Sequence, residues 1–256
     1  MSLPPELQKA YDEAAIPFID GAITADVTKL KPWRVFLEIN SKCSLRCPTC
    51  TKGDEEGYEH QTGFMSPGLM ERILDKIKLE NPNAIVFTYG NSEPFLHPHL
   101  VECIGSIKIR GLNAQLSTNC NFVRRVDELL AAGPDLIIIS LSGWTQEIYE
   151  LGHVGGNIEK VKANMRTIAE ANNAIPLENR IKILVNYHVY DYNEHEIAPM
   201  KEYATNLGLG FFTSYARAIS MEKTIQYCRL PHNIAATAVK PLPGGIAQQG
   251  DLGRRR

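Results

Sequence analysis

The chain has 256 residues, 44% of them hydrophobic and 22% charged, with a formal net charge of −2. This is a globular balance, long enough to bury a core without disulfide staples. It carries no basic surplus to meet phosphates, no apolar run of about 18 residues and no basic stretch at its acid-bearing N-terminus, so nucleic acid, membrane and a secretory signal are not expected and a cytoplasmic setting is.

Residues 1–33 read as a lead-in, with a short helical stretch over Pro5–Ala15. An alternation of apolar strands and amphipathic helices comes next. Strands are expected at Val35–Asn40, Ala84–Tyr89, Ala114–Thr118, Leu136–Leu141, Ile181–Val189 and Gly210–Tyr215, short runs rich in Ile, Val, Leu, Phe and Tyr.

The helices between them are punctuated. Ser66 before Pro67 marks an N-cap, with Leu69, Met70, Ile73, Leu74 and Ile77 on one face behind it. Leu100, Ile104 and Ile107 lead to Gly111, and Val126, Leu129 and Leu130 lead to Gly133, each glycine where a C-terminal cap belongs. Ile158, Val161, Met165 and Ile168 stand behind Asn157, and Asn193 with Glu196 resembles a capping box.

This rhythm implies parallel strands with crossover helices, either an open sheet or an incomplete barrel, and in both the ligand sits at the carboxyl ends of the strands. The chain beyond Tyr215 is too short for two further βαβ steps of roughly 30 residues each. The expected organisation is a lead-in over 1–33, a core domain over 34–229 and a flexible Pro- and Gly-rich extension over 230–256.

The chemistry concentrates in Cys43-Ser-Leu-Arg-Cys47-Pro-Thr-Cys50, directly after the first strand. Three cysteines within eight residues in a reducing compartment indicate metal or catalysis rather than disulfides. Structural zinc and ordinary [4Fe–4S] clusters both take four ligands. A fourth is missing locally, and three thiolates leave one iron open to an exogenous ligand. A zinc loop completed by a distant residue such as His60 or Cys103 stays open as the alternative.

The CX3CX2C segment resembles the signature of the radical S-adenosylmethionine (SAM) family, and the likeness extends from about Arg34 to Tyr215. It implies a partial (β/α)6 barrel. Cys43, Cys47 and Cys50 would ligate a [4Fe–4S] cluster whose open iron takes SAM. One electron, from a flavodoxin or ferredoxin, would cleave SAM to a 5′-deoxyadenosyl radical that abstracts hydrogen from a small-molecule or peptide substrate.

Thr49 departs from the pattern, since the family usually has an aromatic residue there. Tyr89-Gly90-Asn91-Ser92-Glu93-Pro94 resembles the family's GGEP turn, and Glu93 would then meet the amino group of the cosubstrate. Strand parity puts Ser140 and Ser142 on one face of the fourth strand and Asn186 on the polar-ended face of the fifth. The resemblance implies that these meet SAM and that Thr213 to Tyr215 lie near the adenine.

His188 and Cys120 are candidates for substrate chemistry, as acid or base and as hydrogen donor, and Arg46 for offsetting the cluster's charge. Cys103 reads as a core residue and Cys228 as a lone thiol without a cluster partner. The competing functions are a non-catalytic zinc or iron–sulfur scaffold and a truncated, inactive radical SAM domain.

Overall fold

A computed structural model describes residues 32–53 and 63–216. The lead-in helix, His60, Cys228 and the C-terminal extension lie outside the described residues.

Six strands form one sheet in sequential order, every neighbouring pair parallel. They are β1 (Arg34–Phe36), β2 (Ile85–Phe87), β3 (Asn113–Thr118), β4 (Leu136–Leu141), β5 (Lys182–Val189) and β6 (Gly210–Tyr215). The helices are α1 (Pro67–Glu80), α2 (Leu100–Ile109), α3 (Val126–Ala131), α4 (Gln146–Gly152), α5 (Ile158–Asn173) and α6 (Ile197–Asn206). This is the open, partial (β/α)6 barrel that the family resemblance implies, one of the two arrangements the periodicity left open.

The central strands alternate strictly. Ala114, Leu116, Ile137, Ile139, Leu141, Ile183, Val185 and Tyr187 are buried on the helix side. There they meet Met70 and Leu74 of α1, Ile104 and Ile107 of α2, Val161, Met165 and Ile168 of α5 and Met200 of α6. Each such aliphatic side chain contributes about 1.5–3 kcal/mol when fully buried. The opposite parity, with Ser117, Ser140, Asn186 and His188, is only half-buried and faces the barrel interior.

Ser66 accepts a hydrogen bond from Leu69 N at 3.3 Å and Asn157 one from Lys160 N at 2.9 Å, as their N-cap positions require. Gly111 and Gly133 end their helices at φ +64° and +73°, the left-handed conformation that glycine enters without strain.

Three expectations need correction. β1 and β2 are three residues each, because the chain leaves the ladder early: Met65 N donates to Ile39 O at 2.8 Å and Ser41 N to Gly63 O at 3.1 Å, a second pairing that turns residues 39–41 towards the cysteine loop. Asn193 and Glu196 form no capping box. Asn193 donates to Ser142 O and His188 O, and Glu196 accepts from Trp144 N, Thr145 N and Thr145 Oγ1. Between β4 and β5 there are two helices rather than one, the short α4 preceding α5.

Candidate active site

The cysteine loop is wound tightly where β1 gives way to α1. Cys50 N donates to Cys47 O at 3.0 Å and Gly53 N to Cys50 O at 3.0 Å, so two successive turns present the second and third cysteines on one side. Glycine is required at 53, because a Cβ there would stand 2.1 Å from Cys47 O. Lys52, buried on this last turn, donates from Nζ to Ser41 O at 2.6 Å and ties the loop to the exit of β1. Arg46 is exposed and donates to the carbonyls of Cys43 and Leu45.

Cys47 and Cys50 line a cavity of about 390 Å³ at the carboxyl ends of the strands. Its wall also includes Gly90, Ser92 and Glu93 after β2, Ser117 and Asn119 of β3 and its exit, Ser140 of β4 and His188 of β5. His153, after α4, and Tyr190, after β5, complete the part of the lining that bears on the chemistry.

Glu93 is the hub of the floor. Its backbone N donates to Lys42 O at 2.8 Å, and its carbonyl accepts from Asn40 Nδ2 at 3.2 Å. Its carboxylate accepts from Phe95 N (3.1 Å) and Thr118 Oγ1 (2.8 Å) on Oε1, and from Asn119 N (2.8 Å) on Oε2. Burial raises this carboxyl to about 7 even though the three donors oppose it by favouring the anion.

The other predicted residues separate into two groups. Ser140 lines the cavity, with its hydroxyl 2.9 Å from that of Ser117. His188 lines it too. Asn186 lies one strand over, in register with Ser140, and accepts from Ser214 Oγ at 2.8 Å. Ser142 is fully buried behind the wall, its hydroxyl 2.7 Å from His153 Nδ1. Cys120 is fully buried at φ +58°, its Sγ directed at Val161 O, and it does not line the cavity. Cys103 is a core residue of α2. On β6, Thr213 and Tyr215 are exposed.

Sequence reading missed three contacts, although strand parity turns Asn119 towards the pocket. Asn119 donates from Nδ2 to Cys43 Sγ at 3.7 Å. Tyr190 brings its hydroxyl 3.1 Å from Thr49 Oγ1 and stacks on Tyr192, so an aromatic side chain from the exit of β5 reaches the residue before the third cysteine although residue 49 is itself a threonine. His153 stacks on Tyr149, with ring centroids 4.9 Å apart, and faces His188 at 6.4 Å. None of these pairings has a local signature, since the partners lie on different strands and loops.

Burial holds both histidines neutral, His153 down at about 3 and His188 at about 4. The unfolded chain takes up protons near the ordinary 6.5, before the folded one does, so this neutral pair contributes stability above pH 6.5 that is lost as the pH falls towards 4 and below. Thermal melting across pH 7.5 to 4.5 should therefore drop steeply on the acid side. His188→Phe should flatten that limb, and an unchanged limb would show that His188 titrates alike in the folded and unfolded protein.

The thiols of Cys43 and Cys47 are both pushed up by burial, Cys47 to about 12 with the neighbouring Cys43 and Cys50 adding to the shift. Holding these two as thiolates therefore takes a positively charged core, and a coordinating thiol is deprotonated outright. Among the described residues no three or more His, Cys, Asp or Glu side chains gather tightly enough to hold a single metal ion. Three thiols spread along one loop fit a polynuclear core that takes each sulfur at a separate corner. A second sign of a ligand is Ser92 Oγ, buried in the cavity wall with no hydrogen-bond partner among the described residues.

The family model of the radical SAM superfamily matches residues 37–204. The chain belongs to the radical SAM superfamily. The tungsten-containing aldehyde ferredoxin oxidoreductase cofactor-modifying protein of Pyrococcus furiosus is 29% identical over 181 residues, 68% of this chain and 49% of that protein. A probable GTP 3′,8-cyclase of Methanococcus maripaludis is 30% identical over 218 residues, 84% of this chain and 66% of that one. This radical SAM chain thus spans half to two thirds of the length of these curated relatives.

Among solved structures, Streptococcus suis SuiB bound to S-adenosylmethionine superposes with a TM-score of 0.60 at 13% identity, over 81% of this chain and 45% of SuiB. HydG, a maturase of the [FeFe]-hydrogenase, gives 0.55 at 17% over 75% of this chain and 45% of its own. These likenesses establish the shared fold. Among the described residues no helix is long and apolar enough to cross a membrane.

Proposed function

We propose that this radical SAM domain holds a [4Fe–4S] cluster on Cys43, Cys47 and Cys50 and uses it to cleave S-adenosylmethionine reductively. The observation that carries the reading is the shared cavity: two of the three cysteines open into the same space as the buried carboxylate of Glu93 and the polar ends of β3, β4 and β5. A cluster held on Cys43, Cys47 and Cys50 would supply there the single electron for reductive cleavage of the sulfonium bond, the chemistry that starts hydrogen abstraction from substrate.

The chain's own groups do the rest. Glu93 Oε2, engaged by one backbone donor, keeps accepting capacity for the cosubstrate ammonium, a charge-assisted contact. Ser92 Oγ and Ser140 Oγ offer further polar contacts from the wall. Asn186 orients the β5–β6 side through Ser214, and Ser142 acts through His153. Tyr190, beside Thr49, is the aromatic face available to the adenine. His188, neutral and facing the cavity, is placed to accept a proton from a bound substrate. A wall of hydroxyls, amides and imidazoles suits a small polar metabolite or a peptide, and a flavodoxin or ferredoxin would deliver the electron.

Anaerobic reconstitution with iron and sulfide tests this directly. The protein should turn brown, bind S-adenosylmethionine and release 5′-deoxyadenosine when reduced. A colourless product that retains one zinc, or a loaded protein that forms no deoxyadenosine, would overturn the reading.

A further inference from the structure

Among the cavity residues to which the proposed chemistry gives no role, Asn119 is the one its neighbours hold most fully. Asn119 leaves β3 with all but its amide nitrogen committed. Its backbone N donates to Glu93 Oε2 at 2.8 Å. Its side-chain oxygen accepts from Asn121 N at 3.0 Å and Asn121 Nδ2 at 3.2 Å. Asn121 is itself fixed, by Nδ2 to Tyr149 OH at 2.7 Å and by its side-chain oxygen accepting from Asn157 N at 2.7 Å. The amide flip is thus set, because the oxygen must face the Asn121 backbone N–H. The remaining Nδ2 then points at Cys43 Sγ, 3.7 Å away, and Leu45 N approaches the same sulfur at 3.5 Å.

We infer that Asn119 is a positioning residue for the metal centre: its amide N–H donates to the Cys43 sulfur and raises the reduction potential of the cluster bound there. The inference rests on the proposed cluster at Cys43, Cys47 and Cys50. Reduction adds negative charge that spreads onto the ligand sulfurs. A fixed donor stabilises the reduced state more than the oxidised one, and hydrogen bonds to sulfur are among the protein's levers on cluster potential. The Glu93 carboxylate acts at one remove, by anchoring the backbone of Asn119. The turn after β2, the exit of β3 and the cysteine loop are thereby linked into one chain of bonds.

The test uses the reconstituted wild type and Asn119→Leu, which has similar volume and no donor. Iron and sulfide are measured first, and the midpoint potential is then followed by EPR in a redox titration without substrate. At equal iron content the variant's reduction equilibrium should fall about tenfold, a midpoint about 59 mV more negative for a one-electron couple. An unmoved midpoint at equal iron content overturns the inference.

Should Asn119→Leu fail to hold iron, wild type labelled with 15N-asparagine decides. A nitrogen coupling to the reduced cluster supports the proposal, and its absence refutes it. Wild type that takes up no iron would sink the cluster reading itself, an outcome distinct from either.

Discussion

Cys47→Ala should leave the protein folded and take its iron away. After anaerobic reconstitution the wild type is expected to carry about four irons per chain and the variant close to none. Two remaining thiolates, of which burial already pushes Cys43 towards the protonated form, lack the charge to hold the core. The fold should tolerate the change. Cys47 is half-buried, its sulfur makes no hydrogen bond that holds an element in place among the described residues, and the turns around it are made by backbone groups. Melting of the metal-free variant should therefore shift by no more than about 1 kcal/mol.

Cys103→Ala is the control that separates cluster loss from general damage. That thiol is 7% exposed in the core of α2. Its removal should lower stability through a small cavity while iron content stays at the wild-type level. Full iron in Cys47→Ala together with lost iron in Cys103→Ala would show that the ligand assignment is wrong.

The contrast between these two cysteines shows what the sequence made legible. Cys43, Cys47 and Cys50 stand within eight residues of one another, so spacing alone groups them. The strand–helix period was equally readable in the central elements, where Ile137, Ile139 and Leu141 alternate with half-buried partners over a full six residues. It failed where elements are short. α4 spans seven residues and buries only Tyr149 and Gly152, too little for a stripe. The ladder of β1 is cut by a pairing with residues 63–65 that no local pattern announces. Asn193 and Glu196 have capping-box spacing, yet tertiary partners at the β4 exit claim both side chains.

The site divides in the same way. Glu93, on a recognisable turn, was legible. That Asn119 turns its amide to Cys43, that Tyr190 stands beside Thr49 and that His153 backs onto Ser142 are consequences of parallel register. Register brings positions 76, 141 and 11 residues apart into contact without marking any of them in advance.

The largest loss of stability is expected at Glu93. In Glu93→Ala, the N–H groups of Phe95 and Asn119 and the Thr118 hydroxyl lose their acceptor inside the protein. Each buried donor left unpaired costs about 1–3 kcal/mol, and together they approach the whole stability of an ordinary domain. Glu93→Gln should cost less, since only the amide nitrogen is set against a donor.

The two variants also separate structure from charge. The unfolded chain loses the Glu93 proton near 4.5 and the folded one near 7, so between these values the unfolded state binds fewer protons and wild-type stability should fall as the pH rises, by about 3 kcal/mol across the window. The histidine pair gives the opposite slope over an overlapping range, which is why the quantity to measure is the difference between wild type and Glu93→Gln at each pH. That difference should shrink from pH 4.5 to 7 and stay level beyond. A flat difference would mean that the three donors already hold the carboxylate ionised throughout. S-adenosylmethionine should then stabilise the cluster-loaded wild type more than Glu93→Gln, because only the wild type sets a carboxylate against the incoming ammonium.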